Sequence, residues 1–280
     1  MTFPLVCTKW LYDNLDNPDV VVLDSSIDFQ IPAETEKDKT NVIPGSLRFD
    51  YDTVFCDVES SLPHMMPSEQ RFNEQAQALG LDNDSIIVVY DNSGTFASPR
   101  AYWMFKAMGH EKVFILDGGL TEWKRAGYPV VQYYRNMAKS DNFTGRLIPH
   151  YFVDADTVEN EINNSSSQTV DARGLARFMA QTPEPREGVR SGHIPNSLCL
   201  PFATLMDSHK LKPQNELQAI LETALECDKA RYLFSCGSGV TACIVAVAAE
   251  ICGYKNLSVY DGSWTEWGQE HHRPIATPTK

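Results

Sequence analysis

Cys236-Gly237-Ser238-Gly239-Val240-Thr241 is the segment of this 280-residue chain whose residue types and order carry the clearest chemistry. Tyr232-Leu233-Phe234-Ser235 before it reads as a buried strand. Ala242 to Cys252 after it is nearly all apolar and stops at Gly253, as a buried helix would. The cysteine is therefore expected at a strand end, at the mouth of a tight turn, facing a helix N-terminus. Two glycines let the backbone curl so that several N–H groups converge on one point. Those dipoles, with the helix end, favour a thiolate over a thiol. The chemistry implied is a nucleophilic sulfur cradled by donors that stabilise an anion attached to it. Cys243 and Cys252, on the helix itself, read as structural thiols.

The elements that position this loop occur twice. Val113-Phe114-Ile115-Leu116-Asp117-Gly118-Gly119-Leu120-Thr121-Glu122-Trp123 matches Leu257-Ser258-Val259-Tyr260-Asp261-Gly262-Ser263-Trp264-Thr265-Glu266-Trp267, with Trp123 and Trp267 144 residues apart. Ile43-Pro44-Gly45-Ser46-Leu47 matches Ile194-Pro195-Asn196-Ser197-Leu198, and Asp24 after Val21-Val22-Leu23 matches Asp171 after Thr169-Val170. Three matches in one order at nearly one offset make the chain a tandem duplication. The halves are residues 1–135 and 151–280, with 136–150 as a polar linker. At the turn equivalent to the cysteine loop, the first half reads Asp91-Asn92-Ser93-Gly94-Thr95-Phe96. An aspartate cannot perform thiol chemistry, so one half is expected to be active and the other structural.

Each half alternates β-branched runs with helical patterns. Ser85–Tyr90, Val113–Leu116, Tyr232–Ser235 and Leu257–Tyr260 read as strands. Phe72, Ala76 and Leu79 share a helical face between a Ser68 cap and a Gly80 stop. The fold class is α/β, each half a mostly parallel sheet flanked by helices, with ligands expected beyond the carboxyl ends of the strands. The charged run Thr35–Thr40 reads as a solvated loop, and Asn163–Ser167 as a polar turn.

The loop Cys236–Ala242 resembles that of the 3-mercaptopyruvate sulfurtransferases of the rhodanese superfamily. The two Asp-Gly-x-x-Thr-Glu-Trp segments, Leu62-Pro63-His64-Met65-Met66-Pro67 and Thr182-Pro183-Glu184-Pro185-Arg186 extend the resemblance over essentially the whole chain. It implies two tandem rhodanese-like domains. Cys236 would take sulfur from 3-mercaptopyruvate as a persulfide while pyruvate leaves, and a thiol such as reduced thioredoxin, or cyanide, would remove it. Ser238 matches a proton-relaying serine with His64 and an aspartate behind it, a sensible arrangement for protonating a leaving enolate. Asp52 is the best match to that aspartate, with Asp50 and Asp57 as rivals, because the stretch from Asp52 to His64 is one residue longer than the usual pattern. Arg177 and Arg186 match the substrate-binding arginines, whose planar forks suit a carboxylate and an adjacent ketone. Gly237, Gly239, Val240 and Thr241 would line the substrate from the loop. No cofactor is implied.

Charge and composition narrow the alternatives. With 24 Lys+Arg against 37 Asp+Glu, the net charge of −13 argues against a general nucleic-acid binder. No run of about 20 apolar residues is present to span a bilayer, and Met1–Trp10 lacks the pattern of an export signal. Seven scattered cysteines without a Cys-x-x-Cys pair point to a reducing compartment, with the cytoplasm as the expectation. His271-His272 forms no metal-ligand pattern, and no metal is assigned. Thiosulfate sulfurtransferases are the nearest alternative, but their resemblance predicts basic residues inside the loop, and here it holds only Gly, Ser, Val and Thr. Cysteine phosphatases of related fold need an arginine closing the loop, whereas Thr241-Ala242-Cys243 stands there. A non-enzymatic scaffold is the competitor from a different class, and an intact Cys236 speaks against it.

Overall fold

The computed structural model describes residues 3–277 and separates into two units. The first groups Met1–Glu59, Met66–Ile148 and Asp207–Leu211; the second groups Ser60–Met65, Pro149–Met206 and Lys212–Lys280.

Each unit is built on a five-stranded sheet with all pairings parallel. Across the first sheet the strands run Leu5–Val6, Val113–Leu116, Ile86–Tyr90, Val20–Asp24 and Leu47–Arg48. The second repeats that order with Phe152–Val153, Leu257–Tyr260, Arg231–Ser235, Ser167–Asp171 and Leu198–Cys199. The apolar central runs are covered on both faces, as parallel sheets require. All of Val20–Asp24 is buried, and so is Tyr232–Ser235.

The helix Thr241–Ile251 behind the cysteine loop buries nine of its eleven residues, from Ala242 to Ala249 and Ile251. Its alanines let the backbone lie close to the sheet. Each fully buried Ile or Val contributes roughly 1.5–3 kcal/mol, so this helix fixes the end of the loop rigidly. Glu69–Ala78 forms the expected amphipathic helix, with the Ser68 hydroxyl accepting from the Arg71 amide at 3.2 Å and Gly80 ending it at φ +76°.

The repeated residues share structural duties. Ser46 Oγ donates to the Ile43 carbonyl and Ser197 Oγ to that of Ile194, both at 2.6 Å, closing the same turn. Trp123 Nε1 donates to the Pro129 carbonyl and Trp267 Nε1 to that of Pro274, both at 2.8 Å. Both indoles are fully buried in their unit's core. These parts of the repeat maintain the fold.

The run Thr35–Thr40 is a loop, but it is not simply solvated. Thr35 Oγ1 donates to the Ser93 carbonyl at 2.5 Å and the Asp38 amide to the Asn92 carbonyl at 3.1 Å, while Asp38 pairs with Lys124. Lys37 Nζ donates to the carbonyls of Ile27 and Phe29 at 2.5 and 2.7 Å. The Thr35 hydroxyl and the Asp38 amide tie this segment to the Asp91 turn, and the charges fasten it to Ile27, Phe29 and Lys124. Residues 136–148 carry no helix or strand, yet they are fastened to the first unit. Gly145 donates to Asn73 Oδ1 at 2.8 Å, Ile148 donates to the Ala107 carbonyl at 2.7 Å, and Phe143 is fully buried.

Candidate active site

The two matched turns sit at the carboxyl ends of the central strands, and the first reveals what such a turn holds. Asp91 is fully buried. Its Oδ1 accepts from the amides of Ser93 (3.3 Å) and Gly94 (2.9 Å) and from Ser93 Oγ (3.2 Å). Its Oδ2 accepts from the amides of Phe96, Ala97 and Ser98 at 3.0, 2.9 and 2.9 Å, and from Ser98 Oγ at 2.9 Å. Five backbone N–H groups and two hydroxyls thus close on one carboxylate. The turn is an anion cradle filled from within.

Cys236 is the residue equivalent to Asp91 in the second unit, and it is 1% exposed. The amides of Ser238, Gly239, Thr241 and Ala242 correspond to the Asp91 donors Ser93, Gly94, Phe96 and Ala97. Gly239 takes φ +74°, a left-handed conformation that side chains disfavour, which explains the glycine there. Thr241 and Ala242 open the helix, where amides have no partner within the helix. The loop carbonyls are tied elsewhere. Cys236 O accepts from the Trp264 amide at 3.0 Å, and Gly237 O accepts from the Thr265 amide at 2.9 Å and Thr265 Oγ1 at 2.6 Å. With those carbonyls occupied, the loop's character around the sulfur is set by its donors.

Arg186 Nη1 donates to Thr265 Oγ1 at 2.8 Å, which places this guanidinium one hydroxyl away from Gly237. Among the described residues Arg186 has no carboxylate partner, so its charge is available to an incoming anion. Arg177 also lies beside the loop, its Nη2 3.6 Å from where a Cβ on Gly237 would stand. Its charge is already matched, because Nε donates to Glu184 Oε1 at 3.2 Å and Nη2 pairs with Oε2. The two arginines that the sequence presents as equivalent are therefore electrostatically different.

Two site residues escaped the sequence reading. Arg173, 2% exposed, donates through Nε to both oxygens of Asp171 at 3.1 and 3.0 Å, and through Nη1 to Glu184 Oε1 at 2.8 Å. Its guanidinium lies 4.3 Å from the centre of the Trp264 ring. Burial opposes the cation, but Asp171 and Glu184, with Cys236 after them, hold the Arg173 pKa above the ordinary arginine value. Glu184 is the second, shared between Arg173 and Arg177. The signals were present: Arg173 follows the repeated Asp171, and Glu184 sits inside the Pro-Glu-Pro-Arg segment.

Cys236, Ser238, His64, Arg177 and Arg186 all fall in the second unit, with Gly237, Gly239, Val240 and Thr241 in the loop itself; Asp52 falls in the first. His64 is 3% exposed and holds a left-handed backbone, φ +61°. The rivals of Asp52 are engaged in local turns. Asp50 accepts from the amides of Asp52 and Thr53 at 2.9 and 3.0 Å and from Thr53 Oγ1 at 2.8 Å, and Asp57 accepts from the Glu59 amide at 3.0 Å. Among the described residues no group of three or more His, Cys, Asp or Glu could hold a metal ion, and no helix is long and apolar enough to cross a membrane.

Comparison with known proteins agrees with the duplicated fold. The rhodanese-like domain family model matches residues 8–126 and again 154–270. The thiosulfate/3-mercaptopyruvate sulfurtransferase 1 of Arabidopsis thaliana, a mitochondrial protein, is 39% identical over 298 residues, covering 97% of this chain and 78% of its own. The 3-mercaptopyruvate sulfurtransferase of Escherichia coli K12 is 34% identical over 276 residues, covering 96% of each chain. A crystal structure of an Escherichia coli protein described as a 3-mercaptopyruvate sulfotransferase superposes with a TM-score of 0.82 at 33% identity, over 94% of this chain and 99% of that one.

Proposed function

Because this chain belongs to the rhodanese family, in two tandem copies, we propose that it is a 3-mercaptopyruvate sulfurtransferase working through a persulfide on Cys236. The observation that carries the reading is the contrast between the matched turns. In one, the cradle is filled by the Asp91 carboxylate; in the other, the same frame presents the Cys236 sulfur.

The Cys236 thiolate attacks the thiol sulfur of 3-mercaptopyruvate. The sulfur–carbon bond breaks, its electron pair passes to the departing pyruvate enolate, and the transferred sulfur remains as Cys236–S–SH. The enolate then takes a proton, for which Ser238, His64 and Asp52 are the proposed relay. Arg186 receives the substrate carboxylate, and Arg177, oriented by Glu184, flanks the loop at Gly237. The loop amides stabilise negative charge on the outer sulfur. An acceptor thiolate, such as that of reduced thioredoxin, attacks the outer sulfur and returns the Cys236 thiolate; cyanide accepts the same atom as thiocyanate. Seven free cysteines support a reducing compartment, and we place the protein in the cytoplasm.

Cys236→Ser tests the mechanism: pyruvate formation from 3-mercaptopyruvate should vanish while the protein stays folded. Undiminished turnover by that variant overturns it. A donor comparison tests the substrate. The uncharged loop favours 3-mercaptopyruvate over thiosulfate in kcat/KM, and the reverse ranking would make this a thiosulfate sulfurtransferase.

A further inference from the structure

The duplication contains a substitution that runs against backbone preference. In the first unit, Gly119 holds φ +52°, and a Cβ there would meet the carbonyl oxygens of Gly94 at 2.3 Å and Asp91 at 2.4 Å. Only glycine fits. The equivalent position in the second unit keeps the same left-handed backbone, φ +49°, but carries Ser263, which is fully buried. A non-glycine residue there bears a conformational penalty that a glycine would remove.

The serine side chain meets the nucleophile's own backbone. Ser263 Oγ accepts from the Cys236 amide at 3.1 Å and donates to the Tyr260 carbonyl at 2.8 Å. The next two amides of the same helix, on Trp264 and Thr265, bind the carbonyls of Cys236 and Gly237 at 3.0 and 2.9 Å. In the first unit the Leu120 amide binds the Asp91 carbonyl at 2.9 Å, so that carbonyl tie is common to both copies. Glycine has no side chain with which to make the hydroxyl bridge. Among the described residues, the hydroxyl bridge to the first amide of the loop is made in the copy that carries Cys236.

We propose that Ser263 is a positioning residue for Cys236: its hydroxyl fixes the peptide leading into the nucleophile and so aims the sulfur into the loop amides. The proposal rests on the sulfur chemistry assigned to Cys236. It gives the strained backbone a purpose, since the strain is tolerated where the hydroxyl reaches the Cys236 amide. A sulfur whose peptide can rotate spends less time in the geometry for attack, so the rate of attack should suffer.

Ser263→Gly and Ser263→Ala separate this role from folding, because both lose the hydroxyl and only glycine also relieves the backbone. Ser263→Gly is expected to melt at or above Ser263→Ala. Both should lower kcat for pyruvate formation about tenfold with little change in KM, as for a misaimed nucleophile. The rate of Cys236 alkylation by iodoacetamide at one fixed pH, followed on its own peptide by mass spectrometry, should fall in both variants. A Ser263→Gly protein with wild-type kcat and an unchanged alkylation rate overturns the proposal. The alkylation readout uses no sulfur donor. Slowed alkylation in a protein that makes no pyruvate would refute the assigned substrate and leave the positioning role standing.

Discussion

Glu184 grips Arg177 through both carboxylate oxygens, Oε1 lying 3.2 Å from Nε and Oε2 pairing with Nη2. The same Oε1 accepts from Arg173 at 2.8 Å, and the Glu184 side chain is only 3% exposed. Breaking a buried ion pair from one side costs about 3–5 kcal/mol, because the partner charge is left behind. Glu184→Ala should therefore destabilise the protein by about 3 kcal/mol in urea unfolding. Glu184→Gln retains a hydrogen-bond acceptor and should lose less. A Glu184→Ala change under about 0.5 kcal/mol, the range of ordinary surface substitutions, would mean that the pair is not structural.

Arg186 and Arg177 should separate kinetically. Arg186 has no carboxylate partner among the described residues, so in the proposed mechanism its charge is free for the substrate, whereas the charge of Arg177 is shared with Glu184. Losing a hydrogen bond to a charged group costs about 1.5–3 kcal/mol, so Arg186→Ala should raise KM for 3-mercaptopyruvate roughly 10- to 100-fold. Arg177→Ala should have the smaller effect on KM. Steady-state kinetics of the two variants checks the ranking, and equal effects would remove the distinction drawn from Glu184.

The strand, loop and helix around Cys236 were legible in the sequence because local signals agree. An apolar run, a glycine-bearing turn and an apolar helix in series dictate a strand–loop–helix, with the cysteine at its bend. The tandem repeat was legible because its residues perform the same turn and core duties twice, as Ser46 and Ser197 do with Ile43 and Ile194. The electrostatic wiring was not. Asp171, Arg173, Arg177 and Glu184 meet through loop geometry that no periodicity encodes. The Thr35–Thr40 run misled for a related reason: charge suggests solvent, while its backbone and side-chain bonds to Ser93 and Asn92 follow from tertiary placement. Ser263 looked like one letter of a repeated segment until its positive φ set it beside Gly119.

Asp91 should be a stability residue despite its place at an active-loop position. Its carboxylate accepts from five backbone amides and two hydroxyls. Alanine leaves those donors without an acceptor. Asparagine turns an NH2 group toward other donors. An unsatisfied buried group costs about 1–3 kcal/mol, so both variants should lose at least about 3 kcal/mol when several donors are orphaned together. Urea unfolding measures this, and an Asp91→Asn protein of wild-type stability would show that the cradle tolerates a neutral occupant.

His110 predicts the sign of a pH dependence. It is 6% exposed, its Nε2 lies 2.9 Å from the Ser85 carbonyl, and burial is the main cause holding its pKa below the ordinary 6.5. Above that pH the imidazole is neutral both folded and unfolded. As pH falls below it, the unfolded chain takes up a proton that the folded pocket resists, so stability declines toward acid. His110→Gln supplies an N–H for Ser85 and does not titrate. Between pH 7.5 and 5.5 its stability should fall less steeply than that of the wild type in parallel urea titrations, and identical slopes would mean that His110 takes up its proton as readily folded as unfolded.

The remaining six thiols should be poor competitors for sulfur, beginning with the buried Cys56, whose pKa burial raises above the ordinary thiol value. Cys252 is pushed up to about 11 by burial and by the charge of Glu222, and Cys199 to about 11 by burial and Asp171, with Arg173 opposing. At pH 8 roughly one such thiol in a thousand is ionised, and the thiolate is the nucleophile. Cys243 is fully buried and directs its thiol at the Gly239 carbonyl, 3.2 Å away. Cys7 and Cys227 are exposed, but neither lies in a loop that would bind the transferred anion. Brief incubation with 3-mercaptopyruvate should therefore add the mass of one sulfur atom to the Cys236 peptide alone, and a thiol should remove it. Stable sulfur on the Cys199 or Cys252 peptide would contradict this, because a group held almost wholly as the thiol has no ready way to attack.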